Sequence, residues 1–417
     1  MLTRILFIYF AIITFGTSAQ QLNNQLLEKY PFLNTKDNRL EYFGDSSAMM
    51  GFYKKLDTLL FKGQEQINIV HFGGSHVQAG TLSERMRQNW LHLSPGLKHS
   101  RGFFFPYRLA HTNNPSDYDV IYDGFWEGCR CALPSAHCKW GVSGINASTV
   151  DSNAEFTIIA YDDEMKEYEF ERVRIFHAFA DSSFQIMPSA AANVKSVLYD
   201  SIAQFVEFSF THPQRALHCI LLQQDSTQQG FTLQGIQYVS DQPGLVYNSI
   251  GVNGAATYSF LRCENFTNQL KFLAPDLVIF GLGINDAYKP ENQFDGAEYE
   301  ANYDSLVMRI KMANPNCAFI FMTNNDSYYK QRYSNPNIIK VQKAMRNLAK
   351  KHKSAYWDLY EVMGGKNSIR TWERYGLAKK DKIHFTREGY NLNADLLFEA
   401  IKLDYGNYLQ NEYKQGN

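Results

Sequence analysis

One stretch near the start of the chain, IVHFGGSHVQAG at residues 69–80, contains a serine placed where it could do chemistry. An apolar run ends at Gly73 and Gly74, and Ser75 follows at once. A serine hydroxyl at the end of a strand becomes a nucleophile when a neighbouring base accepts its proton. Small residues of this type are also common in tight turns. Other features of the sequence are needed to distinguish a nucleophile from a turn residue at position 75.

Three further polar stretches carry residues suited to the same chemistry. GVNGAAT contains Gly254, GLGIND contains Asn285, and DKIHF contains Asp381 and His384. Each lies after a predicted strand or beside one, and ligands of open α/β sheets gather at the carboxyl ends of the strands. Each stretch alone also fits ordinary turn chemistry. All four polar stretches in this order are a much more specific signal of a catalytic site than any one of them.

The elements that must position these residues follow an α/β rhythm. Apolar spacing predicts helices over residues 46–61, 81–91, 257–273, 297–313, 337–351 and 391–402. Apolar runs predict strands over residues 67–72, 245–252, 276–282, 318–324 and 354–359. Strands and helices that alternate in this way favour a doubly wound, flavodoxin-like parallel sheet.

The pattern changes between residues 101 and 241. Short strand-like runs follow one another there, at residues 155–161, 173–179, 205–211, 216–222 and 230–239. Such runs separated by turn residues predict a β-sandwich or jelly roll. We therefore expect an inserted all-β domain over 101–241 within an α/β domain made of 20–100 and 242–417. The acidic run at 162–171 fits a solvated hairpin tip.

The charge pattern argues against a nucleic-acid partner. The formal net charge is -1 and the pI is about 6.8, with acidic and basic residues interspersed. No basic stripe is present to follow a phosphate backbone. Aromatic residues make up 15% of the chain, which suits a β-rich core and also surfaces that stack on sugars.

The first residues have the form of a secretory signal peptide. Arg4 supplies a positive charge, residues 5–16 are apolar, and Thr17-Ser18-Ala19 is a small-residue cleavage site. The apolar run is too short to span a bilayer, and no later stretch is apolar enough to do so. We expect residues 1–19 to be removed and the mature protein to be periplasmic or extracellular, with no integral membrane segment.

Six cysteines in an exported chain indicate disulfides rather than reactive thiols. Cys129, Cys131 and Cys138 lie close together, and one bridge among them is expected. The same cluster with His137 does not have the spacing of a standard zinc site. The other three cysteines lie in apolar contexts and are expected to be buried (Cys219, Cys263 and Cys317).

The four polar stretches together resemble the four blocks of the SGNH hydrolases, a branch of the GDSL esterase superfamily. The matching residues are Ser75, Gly254, Asn285 and His384, with Asp381 three positions before the histidine. Within that family, the chain with its long β insertion resembles exported carbohydrate acetylesterases, especially peptidoglycan O-acetylesterases, and this resemblance implies that the insertion is a carbohydrate-binding-like β-sandwich or jelly roll. Three sequence stretches share this similarity, namely RGFFFP, GLVYNSIGVNGA and TWERYGLAKKDKIHFTREGY.

The resemblance implies a role for each residue of the site. Ser75 is the nucleophile, His384 the general base, and Asp381 the carboxylate that orients the imidazole. The oxyanion donors are the amides of Ser75 and Gly254 and the side-chain amide of Asn285. No metal or cofactor is implied. Three further residues are expected to contact the substrate (His76, Gln78 and Trp372).

One departure from the family concerns position 74, where Gly74 stands in place of the usual aspartate. The expected function is removal of O-acetyl groups from a carbohydrate, either peptidoglycan or another cell-envelope polysaccharide. Two alternatives remain open: an O-acetyltransferase that uses the same residues, and a glycan-binding protein with a weakened site. A lipase fits less well, because no long apolar lid segment is present.

Overall fold

The structure is a computed structural model that describes residues 26–94, 96–161 and 168–415. The predicted signal peptide and most of the acidic run at 162–171 lie outside these ranges. The strands are β1 (Gln66–Gly73), β2 (His99–Ser100), β3 (Phe103–Phe104), β4 (Tyr118–Asp123), β5 (Glu127–Arg130), β6 (Ile145–Thr149), β7 (Glu155–Ala160), β8 (Phe170–His177), β9 (Gln185–Pro188), β10 (Val194–Asp200), β11 (Phe205–Gln214), β12 (Ala216–Leu222), β13 (Phe231–Val239), β14 (Gly244–Gly251), β15 (Leu277–Gly281), β16 (Ala318–Met322), β17 (Tyr328–Tyr329), β18 (Tyr333–Ser334) and β19 (Ala355–Trp357).

The helices lie mainly before β2 and after β14. They are α1 (Ser47–Lys62), α2 (Ser75–Gln78), α3 (Thr81–Leu91), α4 (Thr257–Leu261), α5 (Phe266–Leu273), α6 (Ile284–Ala287), α7 (Gly296–Ala313), α8 (Asn337–His352), α9 (Leu359–Val362), α10 (Ser368–Arg374) and α11 (Arg387–Gln415). Within the described ranges, no helix combines the length and the apolar character needed to cross a bilayer.

Six strands form one parallel sheet in the order β19-β16-β15-β1-β14-β2. Without the short outer strand β2, this is the flavodoxin-like order, in which the second strand along the chain lies outside the first. The strand order reverses between β1 and β15, and ligands of such sheets bind at this point. The predicted doubly wound α/β fold is confirmed.

The two faces of β1 contribute to two different apolar cores, because successive side chains of a strand point to opposite faces. Ile67 and Ile69 pack in a core with residues of α1, α3 and α11. Val70 and Phe72 pack in the other core, with residues of α5, α7 and α8. Helices therefore cover both faces of the parallel sheet, which explains why apolar residues point to both faces of its strands.

The strands between β2 and β14 form antiparallel sheets. One has the order β10-β11-β8-β13-β6-β5, with β3 also paired to β13, and the other has the order β4-β7-β12-β9. Apolar residues of these sheets, such as Phe208 and Leu233, belong to the same core as Val70 and Phe280 of the parallel sheet. The all-β region thus packs directly on one side of the α/β part.

Two predicted helices differ in the structure. The predicted helix over 257–273 is two helices, because the amide of Asn265 donates to the carbonyl of Trp140 in the all-β region (3.4 Å). The last helix continues to Gln415, where aromatic residues such as Tyr405 pack on Tyr53 of α1 (ring centroids 5.4 Å apart). The predicted hairpin tip at 162–171 lies mostly outside the described residues, and the strands on either side of it, β7 and β8, belong to two different antiparallel sheets.

The cysteine cluster contains a disulfide between Cys129 and Cys138. Cys131 is a buried free thiol, and so are the three cysteines expected in apolar surroundings. Among the described residues, no group of histidine, cysteine and acidic side chains is arranged to hold a metal ion.

Candidate active site

A sharp turn from β1 into α2 places Ser75 at the carboxyl edge of the parallel sheet. A Cβ at Gly73 would lie 2.3 Å from Cγ2 of Val77, so only glycine allows the chain to fold back this tightly. The carbonyl of Gly74 accepts hydrogen bonds from the amides of Val77 (3.2 Å) and Gln78 (3.0 Å). These contacts fix Ser75 at the first position of the short helix.

Ser75, His384 and Asp381 form a continuous hydrogen-bonded chain. Ser75 Oγ lies 2.8 Å from Nε2 of His384, and Nδ1 of His384 lies 2.9 Å from Oδ2 of Asp381. The other carboxylate oxygen of Asp381 accepts the amides of Ile383 and His384, each at 2.9 Å. This geometry lets the imidazole take a proton from the serine while the carboxylate holds the ring in the required tautomer.

The carboxylate of Asp381 is kept in its charged form. Partial burial raises its pKa, but hydrogen bonds from the backbone and side chain of His384 and from the Ile383 amide outweigh that effect. The pKa of Asp381 therefore lies below its ordinary value. A carboxylate that stays ionised near neutral pH can stabilise a protonated imidazole.

The loop that carries His384 is held by hydrogen bonds from outside it. The side-chain amide of Asn325 donates to the carbonyl of Ile383 (3.0 Å), and the amide of Tyr328 donates to the carbonyl of Lys382 (3.0 Å). The amide of Lys379 donates to the carbonyl of His384 itself (2.8 Å). The segment after β16 thus positions the histidine, a role the sequence did not reveal.

Gly254 and Asn285 line the same cleft as Ser75. Gly254 has a φ of +81°, a left-handed conformation that favours glycine. Nδ2 of Asn285 donates one hydrogen bond to the carbonyl of Ala255 (2.9 Å). A side-chain amide carries two N–H donors, so the second remains for the cleft. The structure brings together all five residues predicted for catalysis and the oxyanion site.

These residues border a cleft of about 510 Å³. Its lining consists of Ser75, Ala79, Asn113, Asn253, Gly254, Ile284, Asn285, Tyr288, Lys379, Ile383, His384 and Tyr390. Among these described residues, Lys379 and His384 are the basic side chains and no side chain is acidic. The cleft therefore combines side-chain amides with the rings of two tyrosines, Tyr288 and Tyr390.

His76 lies behind the imidazole of His384 and does not line the cleft. The two ring centroids are 5.2 Å apart, and Nδ1 of His76 is within hydrogen-bond distance of the Tyr390 hydroxyl (3.0 Å). Burial, reinforced by the nearby His384, lowers the pKa of His76 to about 3. A neutral ring in this position supports His384 rather than contacting a substrate.

Gln78 and Trp372 also differ from the prediction that they contact the substrate. Trp372 is fully buried, where its Nε1 donates to the carbonyl of Met363 (3.0 Å) and its ring packs on Phe385. Gln78 is only 1% exposed and bonds to protein groups on two sides. Neither side chain reaches the cleft, because both are enclosed by neighbouring segments.

The sequence did not single out several residues that line the cleft. Lys379 and Tyr390 lie in the stretch TWERYGLAKKDKIHFTREGY, and Asn253 directly precedes Gly254. Closeness to a motif in the sequence is the signal that could have identified these three residues. Asn113 and Tyr288 come from other loops. Their positions depend on long-range packing that no local sequence signal reports.

Comparisons with known proteins give a family match for part of the chain and a fold match for most of it. Residues 223–392 match the sequence model of the GDSL-like lipase/acylhydrolase family. Over these residues the chain therefore carries a domain similar to that family, whose members are hydrolases of carboxylic esters. A search of curated proteins gave no match.

The chain is similar in structure to a solved peptidoglycan O-acetylesterase, with 20% identity and a TM-score of 0.68 over 88% of this chain and 99% of the other. An acetyl xylan esterase matches with 19% identity and a TM-score of 0.30 over 38% of this chain and 82% of the other. A GDSL-like lipase from Bacteroides thetaiotaomicron matches with 20% identity and a TM-score of 0.29 over 38% and 76%. The first of these likenesses shows the shared fold across both the α/β part and the all-β region.

Proposed function

We propose that this protein is an exported serine esterase that removes O-acetyl groups from a carbohydrate, with peptidoglycan or another cell-envelope polysaccharide as its substrate. The observation that carries the proposal is the 2.8 Å contact between Ser75 Oγ and His384 Nε2 at the edge of an open, amide-lined cleft. The fold shared with a peptidoglycan O-acetylesterase along most of both chains supports the choice of substrate.

In the first half of the proposed reaction, Ser75 Oγ attacks the carbonyl carbon of the acetyl ester. Nε2 of His384 takes the serine proton, and Asp381 stabilises the imidazolium that forms. The negative charge that develops on the carbonyl oxygen accepts hydrogen bonds from the amides of Ser75 and Gly254 and from the free N–H of Asn285. The intermediate then collapses, and His384 gives its proton to the sugar oxygen, which leaves as an alcohol.

In the second half, water enters the place that the sugar alcohol has left and acts as the nucleophile. His384 takes a proton from the water, whose oxygen attacks the acetyl group on Ser75. A second oxyanion forms in the same place, and its collapse returns the proton to Ser75 and releases acetate. The open cleft admits both the sugar and the water that follows it.

The substrate is tested by measuring acetate release from three compounds side by side: O-acetylated peptidoglycan, acetylated xylan and a chromogenic acetate ester. We expect release from the chromogenic ester and the fastest release per acetyl group from peptidoglycan. A clear preference for xylan would replace the proposed substrate with another acetylated glycan.

The same assay separates hydrolysis from acetyl transfer. An esterase releases acetate stoichiometrically without any glycan acceptor. If acetate appears only slowly alone, and a transferred acetyl group is found on an added glycan, the protein is an acetyltransferase and the proposed function is wrong.

A further inference from the structure

A loop from the all-β region reaches the cleft. Asn113, which lies between β3 and β4, lines the cleft together with Ser75 and Gly254. The same loop packs on the α/β part at two further points. Pro115 lies against Gly80, where a Cβ would come within 2.4 Å of it, and Ser116 Oγ accepts a hydrogen bond from Arg387 (2.9 Å). The loop is therefore fixed against the α/β part around the site.

Gln78 joins this loop to the segment that carries Gly254. Its Nε2 donates to Thr112 Oγ1 (3.1 Å), to the Asn113 carbonyl (3.0 Å) and to Asn113 Oδ1 (3.2 Å). Its Oε1 accepts the backbone amide of Asn253 (2.7 Å). The side chain of Asn253 closes the network, since its Nδ2 donates to Thr112 Oγ1 (3.1 Å) and to Asn113 Oδ1.

Only a side-chain amide of this length has an acceptor and donors for both sides of the network. A glutamate lacks the N–H donors, and a methionine of similar size has neither function. The backbones of Gly251 and Gln78 also approach each other closely, since a Cβ at Gly251 would lie 2.2 Å from the amide nitrogen of Gln78. Helix α2, which begins with Ser75, and the end of β14 are thus held together at Gln78.

The backbone amide of Asn253, which donates to Gln78, lies one peptide unit before the amide of Gly254. A glycine with a φ of +81° has wide conformational freedom, so the direction of its N–H depends on what holds the preceding peptide. Misplacing an oxyanion donor by a small distance costs large factors in rate.

We propose that Gln78 is a positioning residue that aims the Gly254 amide at the oxyanion, and that residues 112–113 of the all-β region complete this device. The inference rests on the proposed function, because it gives Gly254 the role of an oxyanion donor. It makes the all-β region a part of the catalytic unit for every substrate, including esters too small to contact a separate glycan-docking surface.

The test compares Gln78→Met with Gln78→Glu on a chromogenic acetate ester, and measures kcat and KM separately. We expect Gln78→Met to lower kcat by roughly 10- to 100-fold with a smaller change in KM, because a transition-state donor is misaimed. Gln78→Glu keeps the acceptor for the Asn253 amide and should retain more of kcat. A folded Gln78→Met protein with wild-type kcat overturns the proposal.

Gln234→Met is a matched control. Gln234 is also 1% exposed and hydrogen-bonded, to the Lys139 carbonyl (2.9 Å) and to Gln269 (2.7 Å), but it lies in β13 away from the cleft. This variant should lose stability while kcat stays near wild type. If both variants lose kcat equally, the effect of Gln78 is structural and the positioning role is wrong.

A second readout does not depend on the natural substrate. A fluorophosphonate attacked by Ser75 places its P=O oxygen where the oxyanion forms, so its labelling rate should fall in Gln78→Met and not in Gln234→Met. Failure to release acetate from any glycan would refute the proposed function alone, whereas unchanged labelling and unchanged kcat would refute the role of Gln78 alone. If Gln78→Met does not fold, Thr112→Val breaks the same network more mildly and should show the same fall.

The role of the loop is tested by combining Gln78→Met with Asn113→Ala. Because both residues belong to one network, the double variant should lose little more kcat/KM than Gln78→Met alone. Fully additive losses would show that Asn113 acts independently of Gln78, and would remove the all-β region from the proposed device.

Discussion

At the scale of single residues, the glycine at position 74 is tied to the placement of Asn285. A Cβ at Gly74 would lie 3.0 Å from Nδ2 of Asn285 and 3.5 Å from the carbonyl of Ala255, the group to which that amide donates. A larger side chain there has to push the Asn285 amide by a few tenths of an ångström. The glycine therefore makes room for the side-chain amide of Asn285, the proposed oxyanion donor.

We predict that Gly74→Asp lowers activity rather than restoring it. The added carboxylate crowds Asn285 and attracts its free N–H, which the oxyanion needs. The measurement is kcat/KM on one acetate ester at one pH, with Gly74→Ala beside it to separate the effect of volume from that of charge. A gain in the aspartate variant would contradict the argument.

A second prediction at this scale concerns Asn285. Asn285→Ala removes a donor that acts mainly in the transition state, so kcat should fall by roughly 10²–10³-fold with a smaller change in KM. Steady-state kinetics on a small acetate ester measure both constants. A change in KM alone would place Asn285 in substrate binding instead.

At the scale of elements, the sequence predicted those parts whose signals are local. The strands that precede Ser75 and Asn285 are rich in apolar residues, and the motifs follow them directly, so both residues could be placed at the sheet edge. The loop containing Asn113 and the anchor of Asn325 on Ile383 have no such signal. Their positions depend on contacts between segments far apart in the chain.

The segment after β16 that anchors the histidine loop contains a buried carboxylate, Asp326. Its Oδ2 accepts the amide of Ile369 (3.1 Å). Burial raises the pKa of Asp326 to about 6, and hydrogen bonds only partly offset this effect. The folded state therefore keeps a proton on Asp326 at pH values where the unfolded chain, with an ordinary aspartate pKa, has lost it.

This difference predicts that Asp326 makes the fold less stable as pH rises from about 4 to about 6. Stability is greatest where both states are protonated, and the contribution is lost as pH passes the folded pKa. Asp326→Asn removes this titration. The difference in free energy of unfolding, variant minus wild type, should therefore increase by on the order of 2 kcal/mol between pH 4 and pH 7. Urea denaturation at both pH values measures the gain, and an identical pH dependence in both proteins would contradict it.

At the scale of the whole molecule, a buried charge cluster joins the α/β part to the all-β region. The carboxylate of Asp117 lies 2.5 Å from Nη2 of Arg87 and 3.2 Å from Nε of Arg101, and it accepts the hydroxyl of Tyr168 (2.9 Å). The cluster is almost completely buried. With the shared apolar core, it connects α3 to the sheets that follow β3.

We predict that Asp117→Ala lowers the free energy of unfolding by about 3–5 kcal/mol, because it leaves two buried guanidinium groups without their carboxylate. Asp119→Ala is the control, since Asp119 pairs with Arg108 at a much more exposed site and its loss should cost under about 1 kcal/mol. Urea denaturation measures both, and similar losses in the two variants would contradict the structural role of the cluster.

The most direct test of the proposed catalytic centre is acetate release from an O-acetylated polysaccharide by wild-type protein and by Ser75→Ala. Ser75 is held 2.8 Å from His384, and its replacement removes the nucleophile without filling the cleft. We predict that the variant folds as wild type does, by circular dichroism and thermal unfolding, and releases no acetate above the uncatalysed rate. Acetate release at the wild-type rate by a folded Ser75→Ala protein would contradict the account.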